Sequence, residues 1–79
     1  MMKKKELKLV ITFHTTAEAM AMEKACRTLK VPGRLIPVPR TLSSGCGLAW
    51  CAPLTERACL REMMTAKSIE EEAIHECMV

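Results

Sequence analysis

One cysteine of this chain stands between two glycines, in the segment that runs from Arg40 to Ala49. The neighbours of Cys46 are Gly45 and Gly47. Glycine has no side chain that could shield a sulfur atom, and it permits backbone angles that other residues avoid. A cysteine that serves only packing has no need of such neighbours. The sequence therefore marks Cys46 as the thiol that is presented to another molecule.

Several residues near Cys46 could activate its sulfur, because a cysteine reacts as the thiolate. Arg40 is the nearest cation in the sequence and Arg34 lies on the same predicted strand; a fixed positive charge nearby favours the thiolate. The N–H groups of the two flanking glycines could form an anion-holding nest. Ser43 and Ser44 can donate hydroxyl hydrogen bonds. The alternative is a tight hairpin in which the glycines serve only the turn.

Cys51 raises the alternative of a metal or redox pair with Cys46. If residues 48–51 form a strand, the two α-carbons lie roughly 15 Å apart at about 3.3 Å per residue. A disulfide requires a separation of about 4.4–6.8 Å, so pairing would need a strongly curled loop. His14, at the end of the first predicted strand, could approach the Cys46 loop as a base or a hydrogen-bond donor. An ordinary surface histidine is the alternative.

Length and composition predict one small domain over residues 1–79, with residues 1–5 flexible. Phe13 and Trp50 are the only aromatic residues, which argues against a base-stacking surface for single-stranded nucleic acid. The net charge is +3, with basic residues near the start and acidic residues near the end, a pattern typical of solvated surface. We therefore expect no nucleic-acid partner.

Cysteine usage and hydropathy predict a reduced, cytoplasmic protein. Five cysteines are an odd number, and their spacings contain no C-x-x-C pair of the kind found in structural zinc sites. No secretory signal follows the basic residues, and no window approaches the roughly 20 apolar residues of a membrane span. We expect no metal, no cofactor and no membrane partner.

The chain divides into alternating strand and helix patterns. Strands are predicted over Leu7–Phe13, Arg34–Val38 and Leu48–Ala52 by their apolar patterns. Because Pro37 and Pro39 cannot donate to a β-ladder, the second strand is expected at a sheet edge, and the apolar third strand in the centre.

Two helices separate these strands. The first is predicted to start at the capping box of Thr15 and Glu18. The second is predicted over Glu56–Met64, with Thr55 as its N-cap. Cys26 and Cys59 are predicted on the inward faces of these helices.

Residues 66–79 are ambiguous between helix and strand. Glu-rich sequence and the pattern from Ser68 to Glu71 locally favour a helix. The whole order, βαββα(β), predicts a two-layer α+β sandwich of ferredoxin-like arrangement, an antiparallel sheet with both helices on one face. A thin core with a second sheet face to cover makes a homodimer an open alternative.

Four segments, in order, resemble a family of small bacterial proteins, the selenium/sulfur carrier protein-like family. They are a strand end and helix start at residues 11–19, an A-M-E-K-A helix segment at 21–25, the strand R-L-I-P-V-P-R at 34–40, and the turn S-S-G-C-G-L-A at 43–49. Together they span about residues 9–52, and the last two are the more specific. The resemblance implies a carrier role for Cys46 and a fourth strand near the C-terminus, in place of the local helix.

The favoured hypothesis is a non-enzymatic carrier that holds sulfur or selenium on Cys46. A cysteine-desulfurase-type donor and an acceptor protein are implied by the resemblance. No acid–base pair or nucleophile–base dyad is visible that would support turnover of a substrate. Two alternatives stay open: a non-catalytic binding or regulatory module, and a soft-metal site formed by Cys46 with Cys51.

Overall fold

The computed structural model describes residues 6–40, 42 and 45–79. Their elements are, in chain order, β1 (Leu7–Thr12), α1 (Thr16–Leu29), β2 (Arg34–Pro37), β3 (Leu48–Ala52), a 3₁₀ turn (Leu54–Glu56), α2 (Arg57–Ala66) and β4 (Ala73–Met78). The predicted α+β order is confirmed. The predictions that concern residues 1–5, Ser43 and Ser44 lie outside the described residues.

The four strands form one antiparallel sheet in the order β2-β3-β1-β4. The edge position of β2 and the central position of β3 are therefore as predicted. Pro37 lies opposite Leu48 at the end of the β2–β3 ladder. An edge strand tolerates a proline because one side of it has no ladder to supply.

Both helices pack on one face of the sheet. Alternate residues of a strand point to the same face, and Leu9, Ile11, Trp50 and Ala52 share one hydrophobic cluster with buried residues of α1 and α2. This is the predicted two-layer, ferredoxin-like sandwich. Neither helix is long and apolar enough to cross a membrane, a finding that covers the described residues only.

Only the Thr15 half of the predicted capping box is present at the start of α1, while Glu18 Oε2 accepts from the Glu70 N–H. Thr15 is the N-cap, and its hydroxyl oxygen accepts a hydrogen bond from the Glu18 N–H at 3.3 Å. The helix ends at Leu29, after which Lys30 adopts a left-handed conformation with φ of 58°. Its N–H donates to the Cys26 carbonyl, which closes the last turn.

The second helix starts later than predicted. Pro53 leads into the 3₁₀ turn, and the Glu56 N–H donates to the Pro53 carbonyl at 3.0 Å. Glu56 is the N-cap of α2 and makes no side-chain capping bond. The prediction of Thr55 as the N-cap is wrong, because the chain enters α2 through this turn.

The prediction that Cys59 lies in the core is also wrong, since its side chain is exposed. The buried residues of α2 are Leu60, Met63 and Met64. At 3.6 residues per turn, Cys59 lies about 100° around the axis from Leu60. It therefore occupies a flank of the buried stripe rather than its centre.

The last segment is a strand, so the local preference for helix does not hold. All six residues of β4 pair with β1, from Ala73 opposite Thr12 to Met78 opposite Leu7. Ser68, with φ of 55°, follows the end of α2 and interrupts any helical continuation. Pairing with β1 supplies hydrogen bonds to the peptide groups of β4 along six residues. The stabilisation from this tertiary pairing exceeds the weak helix propensity of the glutamates.

Candidate functional site

The loop between β2 and β3 lies at the end of the sheet where β1 finishes and where β3 and β4 begin. This follows from the topology, since β3 and β4 both run antiparallel to β1. The loop is closed by a hydrogen bond from the Val38 N–H to the Gly47 carbonyl at 3.0 Å. Cys46 is thereby placed beside the connections that leave β1 and enter β4.

The sulfur of Cys46 contacts the backbone of a residue two positions further along. The Leu48 N–H donates to Cys46 Sγ at 3.4 Å, and the thiol donates to the Leu48 carbonyl at 3.3 Å. Leu48 lies one residue beyond the last pair of β1 and β3, which joins Thr12 and Ala49. The sulfur thus contacts peptide groups at the point where the β1–β3 ladder has ended.

These two contacts respond differently to the charge of the sulfur. A thiolate still accepts from the Leu48 N–H, but it has no proton to donate to the Leu48 carbonyl. Ionisation or modification of Cys46 therefore favours rotation of the sulfur away from that carbonyl. The side chain is half-buried and packs against the hydrophobic core, so it is less accessible than the sequence suggested.

A carboxylate that the sequence analysis missed contacts the same loop. Glu72 Oε1 accepts a hydrogen bond from the Gly45 N–H at 3.3 Å. The Glu72 N–H in turn donates to the Thr12 carbonyl at 2.7 Å. The Gly45 half of the expected anion nest is therefore filled by a carboxylate of the same chain. Only the acidic run at 70–72 hinted at it, and no local pattern links that run to Gly45.

The two glycines serve different needs. A Cβ atom on Gly45 would lie 2.6 Å from the His14 carbonyl oxygen, so the backbone that follows β1 leaves no room for a side chain there. Gly47 has φ of 75° and open space around its Cα, so its requirement is conformational. His14 does approach the loop, but the atom next to Gly45 is its backbone carbonyl oxygen, and His14 itself is exposed to solvent.

The described surroundings of the loop are more acidic than the sequence analysis expected. Glu18 Oε2 accepts from the Glu70 N–H at 3.0 Å, which ties the start of α1 to the segment before β4. Glu18, Glu70 and Glu72 thus lie at the same end of the sheet as Cys46. Arg40 is exposed on the loop, whereas Arg34 lies opposite Cys51 at the other end of β2.

Cys51 does not join Cys46. It lies on β3 opposite Val10 and Arg34 and is buried, at 8% exposure. Its position alternates with Trp50 and Ala52 of the core, so its side chain points to the sheet face without helices. It lies three positions after Leu48 on β3, a distance of about 10 Å between α-carbons.

None of the five cysteines forms a disulfide. Within the described ranges, no group of three or more His, Cys, Asp or Glu side chains could hold a metal ion. Cys26 is buried on α1, and burial raises the pKa of its thiol to about 11, with a smaller contribution from Cys59. The burial of Cys26 distinguishes it from the half-buried thiol of the loop.

A protein-family model described as "Putative Se/S carrier protein-like" matches residues 8–76. The match covers β1 through most of β4. The chain belongs to this family. The predicted resemblance is confirmed, and Cys46, Gly45 and Glu72 all lie within the matched range of the Se/S carrier-like family. No curated protein and no solved structure matches the chain.

Proposed function

We propose that this protein carries sulfur or selenium on Cys46 as a persulfide or selenylsulfide. In the loading step the Cys46 thiolate attacks the terminal sulfur of a donor persulfide. The new sulfur–sulfur bond forms on Cys46, the donor's own sulfur–sulfur bond breaks, and the donor cysteine leaves as a thiolate. In the unloading step an acceptor thiolate attacks the terminal sulfur of the Cys46 persulfide in the same way. No net oxidation occurs in either exchange.

The position of the Cys46 sulfur is the observation that carries this proposal. The Leu48 N–H lies 3.4 Å from Sγ and is a donor from which a thiolate or a persulfide sulfur can accept a hydrogen bond. A half-buried thiol on a loop beyond the end of the β1–β3 ladder suits a carrier that partner enzymes load and unload. Membership of the Se/S carrier-like family supports the same conclusion.

The acidic residues at one end of the sheet support a proposal about the partners. Glu18, Glu70 and Glu72 lie at the end that carries Cys46. A donor of the cysteine-desulfurase type and an acceptor protein are therefore expected to present basic surfaces around their reactive thiols. A free small anion is a poorer occupant, because Glu72 already accepts the Gly45 N–H. The proposed setting is the cytoplasm, where thiols stay reduced.

The test is direct loading of the reduced protein. The protein is incubated with a cysteine desulfurase and L-cysteine, and intact mass is measured before and after cyanide treatment. We expect one added sulfur, about 32 Da, that cyanide removes as thiocyanate. A selenocysteine lyase with selenocysteine supplies the selenium arm, with an expected gain of about 80 Da.

Matched variants identify the cysteine that carries the added sulfur. Cys46→Ser is expected to lose the adduct, while Cys59→Ser and Cys77→Ser retain it, since both keep the loop intact. Equal loading of Cys46→Ser and the wild-type protein would contradict the proposal. So would a wild-type protein that accepts no sulfur while its far-ultraviolet circular dichroism shows a folded chain.

A further inference from the structure

Two sulfur-containing side chains meet between the two helices, and a third lies on the neighbouring turn of α2, away from the Cys46 loop. Cys26 of α1 donates its thiol hydrogen to Met63 Sδ of α2, with 3.9 Å between the two sulfur atoms. Cys59 lies one helical turn before Met63, at a spacing that brings Cβ atoms within about 5–6 Å. Cys59 is also near enough to Cys26 to affect it electrostatically. We call Cys26, Cys59 and Met63 the interhelical sulfur cluster.

The separation of the first two sulfurs matches the geometry of shared metal ligands. Metal–sulfur bonds are about 2.3 Å long, so two sulfurs on one trigonal or tetrahedral ion lie about 3.8–4.0 Å apart. Cys26 Sγ and Met63 Sδ are already 3.9 Å apart. Both residues are buried, at 1% and 5% exposure, which holds this pair in place.

Cys59 supplies the third ligand and the route of entry. Its side chain is exposed on the flank of α2, so it is free to rotate and can capture an ion from solvent. The cluster therefore combines a fixed, buried pair with one accessible thiol.

The ligand types determine which ion fits. Two thiols and a thioether are soft donors, which select Cu(I) over the harder divalent ions. Zinc in structural sites prefers four ligands from cysteine, histidine and carboxylates, and the cluster offers three sulfurs. We propose that the interhelical sulfur cluster is a binding site for a soft monovalent cation, Cu(I). On binding, both thiols release their protons to solvent and the ion gains three sulfur bonds, without a change of oxidation state.

The test is an anaerobic Cu(I) titration of the full chain in competition with bicinchoninate, a coloured Cu(I) chelator. We expect one tight equivalent per chain. Loss of an outer-shell partner commonly weakens a metal site 10–100-fold, so loss of a ligand in Cys59→Ser should weaken it at least about a hundredfold. Because Cys59 is exposed, this variant should fold as the wild-type protein does.

Two further variants sharpen the assignment. Met63→Leu keeps the side-chain volume and should weaken Cu(I) binding about tenfold, whereas Cys77→Ser, on β4, should change it by less than about twofold. X-ray absorption should report three sulfur neighbours at about 2.3 Å. The proposal is overturned if the wild-type chain binds no Cu(I), if the tight equivalent survives Cys59→Ser, or if Cys46→Ser abolishes it. The last result would place the ion at the carrier loop and leave the proposed carrier function standing.

Discussion

Cys46 and Cys26 both contact the hydrophobic core, but their sulfur atoms have different neighbours. Cys46 Sγ contacts the N–H and carbonyl groups of Leu48, whereas Cys26 Sγ contacts the Met63 thioether. Helical peptide groups are not closed to a side chain, since the Thr65 hydroxyl of α2 donates to the Arg61 carbonyl at 3.0 Å. The Cys26 thiol instead donates across to the other helix, and the Cys46 thiol donates to a carbonyl beyond the end of the β1–β3 ladder. The position of each cysteine in the fold therefore decides whether its sulfur contacts another side chain or polar backbone.

Thiol labelling should show the largest difference between these two regions. With iodoacetamide and peptide mass mapping under native conditions, Cys46 should react at least about a thousandfold faster than Cys26. Cys26 is 1% exposed, so it reacts only after an opening. Local unfolding that costs about 4 kcal/mol lowers the labelling rate of Cys26 about a thousandfold.

Cys59 is the internal control for that experiment. Cys59 was predicted on an inward helix face, like Cys26, but its exposed position predicts a labelling rate comparable with that of Cys46. Labelling of Cys26 as fast as Cys46 in a folded chain would remove the contrast between the two regions.

Alkaline pH should weaken the fold through Cys26. The pKa of its thiol rises from 9.0 to about 11 on folding, because burial disfavours the charged form. Below pH 9 both states hold the proton and the full stability is present. Above it the unfolded chain ionises first, so stability falls as pH rises towards 11, by at most about 2.7 kcal/mol. Urea unfolding at pH 8, 9, 10 and 11 measures this loss.

Cys26→Ala provides the comparison for the pH series, since other groups also titrate in this range. The variant should be less stable at pH 8 because it leaves a cavity. Its stability should, however, fall less between pH 9 and 11 than that of the wild-type protein. Parallel curves for the two proteins would show that Cys26 does not titrate as its burial indicates.

The glycines of the loop should respond unequally to alanine. Gly45→Ala places a Cβ 2.6 Å from the His14 carbonyl oxygen, and backbone atoms cannot easily move aside. Its expected cost in the free energy of unfolding is about 2 kcal/mol. Gly47→Ala meets open space and only the strain of a positive φ, about 1 kcal/mol. Urea unfolding compares them, and equal losses would mean that contact with His14 does not constrain the loop.

Arg40 should have the smallest effect. It is exposed, and its charge is screened, so Arg40→Ala should slow alkylation of Cys46 at pH 7 by only about two- to threefold. Added salt should reduce the difference between the two proteins. Arg34→Ala, which removes an exposed cation at the other end of β2, is the matched control. A loss in the control equal to that in Arg40→Ala would assign the effect to net charge rather than to Arg40.

Local chemistry was enough to predict much of this fold. The bond from the Glu18 N–H to Thr15 depends on residues three apart, and the edge position of β2 follows from the missing N–H of Pro37. Cys59 was misplaced because a short helix leaves the rotational phase of its buried stripe uncertain by one residue. The fourth strand was misjudged locally because its pairing partner, β1, lies at the other end of the sequence.

The candidate site shows the same division. Its glycines and its cysteine are neighbours in sequence, so the pattern pointed to them. Glu72 reaches Gly45 only because the sheet places β4 beside β1, and no rule of spacing connects positions 27 residues apart. The fold therefore supplies a charged contact of the loop that local sequence patterns do not predict.

The order of the strands also has a kinetic consequence. β2 and β3 are consecutive and close only the loop 38–47, whereas Thr12 and Ala73 of the β1–β4 pair are 61 residues apart. Closing a longer loop costs more entropy, and distant pairings form more slowly. We expect the hairpin to form before the centre of the sheet is complete. During folding, the sulfur of Cys46 thus gains its Leu48 backbone neighbours early, and the loop gains its contact between Gly45 and Glu72 late.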